Sequence, residues 1–274
     1  MAKIPFVQID AFASQPFEGN QACVMPLDSY LPDDVLQKIA AENNVAETAF
    51  IVPADSDTWE LRWFTPAVEV PLCGHATLAA GHYLYEETGF TGSEITFTTR
   101  QSGELRVSRL ADGRLEMDFP AQTFTPAEAS NEIIEALGQK PLRCFEGPCF
   151  VALYETAEEI VSLSPNLDQL KSLGASDPAW GPGNFGCLAL DGDDVDVTSR
   201  FFAPGSGIPE DPATGSWHCM IAPLVDHLTG EKSARCFQAY PGRGAIIDTE
   251  LRGDRVKLRG RSVTVIDGSF HLSV

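Results

Sequence analysis

Basic charge is what this sequence has least of. Its 19 Lys and Arg stand against 39 Asp and Glu, a formal net charge of −20. Such a surface repels phosphate backbones and anionic lipid, which argues against nucleic acid or a membrane as partner. Long apolar runs are missing too. No stretch approaches the length of a membrane span, and the opening MAKIPFVQIDAF reads as a first strand rather than a signal peptide. The seven cysteines are an odd number, scattered through apolar segments without framework spacing, so they read as reduced core thiols of a cytoplasmic protein. Cys and His spacings give no zinc quartet, and no metal is expected. The glycine-rich GPGNFG at 181–186 lacks the Lys-Ser/Thr of a phosphate loop. DGDDVDVT at 191–198 lacks the sixth-position Gly of an EF-hand, and Phe202 stands where a bidentate Glu is needed. No low-complexity tail is present.

What is there is enough hydrophobic residue, 43% of 274, for a well-filled globular core, with mean hydropathy of −0.07. Residues 64–84, FTPAVEVPLCGHATLAAGHYL, have a distant twin at 202–224, FAPGSGIPEDPATGSWHCMIAPL. Without a gap, Phe64 meets Phe202, Pro66 meets Pro204, Val70 meets Ile208, Pro71 meets Pro209 and Cys73 meets Asp211, always 138 residues on (209 − 71). That register predicts an internal duplication into two domains, 1–120 and 121–274, the last strand free to return to the first. Each copy reads as a strand end, a Pro/Gly turn and small residues opening an amphipathic helix. Two such helix N-termini facing one cleft would present N–H groups from Gly74–Thr77 and Thr214–Ser216 to one anion.

The order strand, turn, helix, meander is expected twice. In the first half, strands are predicted at 4–12, 45–52, 58–64, 94–100, 103–109 and 114–120, with a helix from 31–34 to a stop at Asn43-Asn44. After a linker at 120–126, Ser130 caps a helix closed by Gly138. Strands at 143–146 and 149–154 precede polar helical or loop material at 156–176. Strands follow at 184–191, 195–203, 234–240, 245–251, 255–260 and 262–266, and Pro223 is expected to kink or break the second copy's helix.

Period two in VAETAFIV sets Glu47 in a row with Val45, Ala49 and Ile51. A carboxylate there must be desolvated, paired or facing a cavity. It serves as a general acid/base, or else lies on a wetted edge or pairs with a structural partner such as Arg62. Cys73-Gly74-His75 opens the first helix. Its thiol is either activated by the helix dipole and the neighbouring imidazole or an ordinary buried core cysteine. Asp211 and Ser216 read equally as helix caps or as functional groups.

Assembled, PFEGNQACVM, AETAF, RWFTPAVEVPLCGHATLAA, FFAPGSGIPEDPATGS and the tail FQAYPGRGA resemble the phenazine-biosynthesis PhzF-like isomerases, in the fold superfamily of diaminopimelate epimerase and proline racemase. The resemblance spans essentially the whole chain. It implies an α+β fold of two pseudo-symmetric domains, each a rolled antiparallel sheet around a central helix, with the active site between them, no cofactor and a homodimer. It implies a small carboxylate-bearing substrate, Glu47 as the proton-transferring group, and His75, Asp211, Gly215 and Ser216 as residues that hold or help protonate it. Asn20, Cys73 and Gly74 join as substrate-binding positions. Two departures stand out. The second copy reads DPATG, with Ala213 and no thiol, against a two-cysteine racemase. The tail has Ala239 and Gly244 where the family often has Gly and Pro. The function implied is proton movement in an isomerase; the alternatives are a racemase or epimerase of an amino or hydroxy acid, or a non-catalytic binding relative.

Overall fold

The computed structural model describes residues 2–175, 180–192 and 194–272, with the side chain of Ala2 left aside. Ser176, at the end of the expected 156–176 segment, and Asp193, within the 191–198 stretch, lie outside the described residues. The chain divides into two compact units, Met1–Asp118 with Arg259–Val274, and Phe119–Leu258.

The first unit contains β1 (Ala2–Ala11), β2 (Asn20–Pro26), α1 (Asp33–Asn43), β3 (Glu47–Pro53), β4 (Thr58–Phe64), a two-residue β5 (Glu69–Val70), α2 (Gly74–Glu87), β6 (Glu94–Thr99), β7 (Glu104–Arg109) and β8 (Leu115–Pro120). The second contains β9 (Thr125–Ala127), α3 (Asn131–Leu137), β10 (Arg143–Glu146), β11 (Phe150–Tyr154), α4 (Ala157–Ser162), α5 (Leu167–Leu170), β12 (Phe185–Ala189) and β13 (Val197–Phe202). It continues through α6 (Gly215–Thr229), β14 (Ser233–Gln238), β15 (Ala245–Arg252) and β16 (Arg255–Gly260). The last strand, β17 (Ser262–Leu272), pairs antiparallel with β1 along its length, which returns the chain's end to the first unit.

The sheets are mixed rather than antiparallel. In the first unit the order runs β17-β1-β2-β3-β4-β6-β7-β8, and β2–β3 and β4–β6 are parallel. In the second it runs β9-β10-β11-β12-β13-β14-β15, with β11–β12 and β13–β14 parallel. Every parallel pair is joined through helical chain, because a parallel return needs a crossover that a tight turn cannot supply. The fold is α+β.

In the first unit α2 packs on β1, β2, β3, β7 and β17; in the second α6 packs on β14 and β15. Each helix shows its wetter face only in the later turns, where Glu86 and Glu87 of α2 and His227 of α6 are exposed; the turns before them are enclosed. His75 to Gly81 are all buried in α2, and Trp217 to Ala222 are all buried in α6. These enclosed stretches have no solvent face to keep polar. Backbones approach closely where side chains vanish: a Cβ on Gly81 would meet Val107 Cγ1 at 2.7 Å, and one on Gly186 would strike the Trp217 ring. Pro223 does not break α6, which runs on to Thr229. The carbonyl four residues back, on Cys219, instead accepts the N–H of Gln122 at 3.0 Å, so the group that proline leaves without a helical donor anchors the segment after β8. Among the described residues no helix is long and apolar enough to cross a membrane.

Candidate functional site

β2 and β3 run parallel, with Ala22 opposite Glu47, so the residues that begin these strands, Asn20 and Glu47, lie at the same end of the sheet. Asn20 gets there through a tight return. Gly19 adopts φ +62°, and any Cβ on it would collide with the carbonyl oxygen of Ala11, the residue paired with Asn20. The loop is tied down by the buried Asp10, whose carboxylate accepts the Phe17 N–H at 3.0 Å. Against that end of the sheet α2 begins.

Cys73 is the cap residue of α2, in extended conformation, and its carbonyl accepts both the Thr77 N–H at 3.2 Å and the Thr77 hydroxyl at 2.6 Å. His75 therefore points from the first turn towards the strand ends. Its Nε2 lies 3.0 Å from Glu47 Oε2. Its Nδ1 is 3.3 Å from Asn20 Nδ2 and 3.5 Å from Cys73 Sγ. One ligand-type atom from each of Glu47, Cys73 and His75 falls within 4.8 Å of the others. Asn20, Glu47, Cys73, Gly74 and His75 are thus brought together within the first unit.

The carboxylate on the apolar row is paired, and the partner is His75 rather than Arg62. The Arg62 guanidinium instead meets Glu69 side-on through Nε at 2.7 Å and Nη2 at 2.8 Å, and Asp33 at 2.9 Å. Despite their closeness, Glu47 Oε2 and His75 Nε2 are both buried without an aligned hydrogen bond. Burial opposes protonation of His75, but its interactions with Cys73 and Glu47 outweigh this and hold the imidazole well above its usual 6.5. The Cys73 thiol goes the other way from an activated cysteine. Burial first, and then the Glu47 charge, push it above 9.0, so it enters as a thiol.

Asp211, Gly215 and Ser216 lie together at the start of α6. Thr214 is the cap residue, and its hydroxyl donates to Asp211 Oδ2 at 2.6 Å. Gln238, fully buried on β14, straps this turn: its Oε1 accepts the Thr214 N–H at 2.9 Å, and its Nε2 donates to the Asp211 carbonyl at 2.6 Å and to Thr214 Oγ1 at 3.1 Å. Sequence reasoning included Thr214 only for its backbone, in the Thr214–Ser216 helix start, and missed Gln238, although it lies in the FQAYPGRGA tail. Gly244 in that tail has φ +71°, which proline cannot adopt, so the departure from the family's Pro follows from the backbone.

The ungapped register of the two segments needs correction. Arg200 follows Arg62 by 138 residues (200 − 62), and the two behave alike: Arg200 meets Glu210 side-on at 2.8 and 2.7 Å and lies over Phe202, as Arg62 lies over Phe64. The partners Glu69 and Glu210, however, are 141 apart (210 − 69), and so are the cap residues Cys73 and Thr214 (214 − 73). The second loop carries three extra residues. Thr214, not Asp211, is the counterpart of Cys73, and Ser216 that of His75.

α2 and α6 share one further property. The shorter helices α3, α4 and α5 are each capped by a side chain, from Ser130, Thr156 and Asn166. α2 and α6 have no side-chain cap and no acidic residue in the first turn. Their leading N–H groups, which no helical carbonyl can reach, are left for another acceptor.

The family model of phenazine biosynthesis-like proteins, PhzC-PhzF, matches residues 9–268. The chain belongs to this family. A Pseudomonas aeruginosa protein named as an uncharacterized isomerase is 40% identical over 272 residues, which is 99% of this chain and 100% of that one. The crystal structure of a PhzF-family protein from Enterococcus faecalis superposes with TM-score 0.92 at 32% identity, covering 99% of this chain and 100% of that one. A probable proline racemase from Agrobacterium radiobacter reaches TM-score 0.60 at 12% identity, covering 99% of this chain and 93% of its own, a likeness of fold alone. This PhzF-like chain thus shares its family with relatives that are named isomerases.

Proposed function

We propose that this PhzF-like protein moves a proton on a small carboxylate-bearing metabolite without a cofactor, with Glu47 as the general acid/base. The Glu47–His75 contact of 3.0 Å carries the reading. It places a carboxylate and an imidazole side by side, buried, and without an aligned hydrogen bond to satisfy them. Groups so held are ready to meet a substrate rather than each other. Glu47 takes the proton from carbon and returns it at another position. His75, beside that carboxylate, stabilises the charge as it changes.

The uncapped start of α2 supports the substrate class, since N–H groups of Gly74, His75 and Ala76 suit a carboxylate. Asp211, Gly215 and Ser216 lie at the equally uncapped start of α6, whose N–H groups suit an anion in the same way. Asn20 orients His75 and a polar group of the ligand. Cytoplasmic location and a homodimer remain part of this reading through the family resemblance. Screening metabolites in deuterated water tests it. A carboxylate that gains deuterium only with this protein present supports the reading; a broad carboxylate panel that exchanges no faster than in buffer opposes it.

A further inference from the structure

Each unit ties the approach to its uncapped helix with the same buried ion pair. Arg62 on β4 holds Glu69, and Arg200 on β13 holds Glu210, each through two hydrogen bonds of 2.7 and 2.8 Å. Each glutamate lies across an antiparallel pairing from the phenylalanine two residues beyond its arginine, Glu69 from Phe64 and Glu210 from Phe202. From arginine to cap residue the chain differs in length, 11 residues to Cys73 (73 − 62) and 14 to Thr214 (214 − 200). From glutamate to cap it is four residues in both copies (73 − 69 and 214 − 210). The three extra residues all fall before Glu210. What both copies keep is the distance from the ion pair to the helix start.

Stability is a poor reason to keep such a pair. Arg62 and Arg200 are 2% and 5% exposed, and desolvating two charges offsets most of their attraction, so apolar residues of similar volume hold a fold as well. We propose that Glu69, gripped by Arg62, is a positioning residue that sets the start of α2 so that His75 stands against Glu47, and that Glu210 with Arg200 sets the start of α6 in the same way. That the first placement serves proton transfer rests on the function proposed above; the placement itself does not.

β4 lies between the two sides of the site. Phe64 pairs on one side with Thr48, next to Glu47, and on the other with Glu69, four residues before Cys73. The backbone tie on that second side is short, since β5 consists of Glu69 and Val70 alone. The guanidinium supplies the missing rigidity. It lies 5.0 Å from the ring centres of both Tyr30 and Phe64, and it also meets Asp33 at the start of α1. Arg100 reaches Glu69 only at 3.4 Å, from a half-exposed position. Arg62 is therefore the fixed partner, and the segment entering α2 is placed by it.

The experiment replaces the pair with apolar residues, Arg62→Met together with Glu69→Leu, in the full chain. It follows the His75 ring by NMR through a pH titration, beside urea denaturation. Both charges leave together, so a changed titration reports where His75 stands rather than a changed net charge nearby. In the parent chain, contact with Glu47 and Cys73 holds the imidazole well above 6.5. The double variant should match or exceed the parent's urea midpoint, while the His75 pKa falls as the imidazole leaves Glu47. Arg62→Lys, which keeps the charge but not the two-point grip, should lower it too, and carries the test alone should the double variant not fold. An unshifted His75 titration in a folded variant overturns the proposal. A lowered His75 pKa in a protein that exchanges no metabolite would leave the placement standing and count against the isomerase reading alone. An unchanged pKa beside unimpaired exchange would overturn the placement and leave that reading intact.

Discussion

Thr214 Oγ1 lies 2.6 Å from Asp211 Oδ2, so a residue type that commonly caps helices spends its hydroxyl on a neighbouring carboxylate and leaves α6 uncapped. The same arrangement leaves the exposed Ser216 hydroxyl and the leading N–H groups of α6 for a ligand. Ser216→Ala should weaken carboxylate binding by roughly 1–3 kcal/mol, measured by calorimetry with any carboxylate found by exchange screening. Unchanged affinity across such ligands would remove α6 from the binding surface.

Glu47→Gln keeps shape and hydrogen-bonding reach but cannot accept a proton from carbon. Turnover should fall about 10²–10⁴-fold with folding retained. Deuterium incorporation beside thermal denaturation separates the two outcomes. Near-parental exchange takes Glu47 out of the chemistry, and a joint collapse of stability and activity makes it a structural partner of His75.

Cys73→Ser should keep substantial activity. The thiol is buried and held protonated by its surroundings, and its counterpart on α6 is Thr214 rather than a second cysteine. Loss of all turnover in a folded Ser variant would restore the racemase mechanism to first place.

His218 gives a pH signature of its own. Its Nδ1 is 2.8 Å from the Thr214 carbonyl, and burial lowers its pKa from 6.5 to about 4. The unfolded chain therefore binds a proton that the folded chain refuses between these values. No penalty exists above pH 6.5; it grows as pH falls and levels off below about 4. A shift of this size corresponds to about 3 kcal/mol. Urea melts from pH 7 to 4 should show this loss, and His218→Gln should flatten that part of the profile.

Gln238→Leu should destabilise the second unit, since it strands the Thr214 N–H and the Asp211 carbonyl in a buried turn. Each orphaned group costs roughly 1–3 kcal/mol. Denaturant midpoints of the variant check this, and a loss well under 1 kcal/mol would mean water replaces the amide.

Much of this was legible along the chain because it is local. Ser130 and Gly138 bracket α3 as capping chemistry requires, Thr58–Phe64 forms the strand its residue types specify, and Asn44 ends α1 in the left-handed conformation. The motifs around Asn20, Glu47, His75 and Asp211 could likewise be singled out, because each is a short run of unusual residues. What failed were statements that depend on surroundings. The enclosed turns of α2 and α6 need no polar face, so the amphipathic pattern holds only for their later turns. Of the kink or break expected at Pro223, the break does not occur: α6 runs on to Thr229, and Gln122, far earlier in the chain, supplies a donor for the freed Cys219 carbonyl. An ungapped register could not see that a loop had lengthened by three residues, since only the caps and the Arg–Glu pairs reveal which positions correspond. Whether Cys73 would be activated or silenced was likewise open in the sequence. The helix start alone favours a thiolate, and burial beside Glu47, a fact of tertiary structure, decides for the thiol.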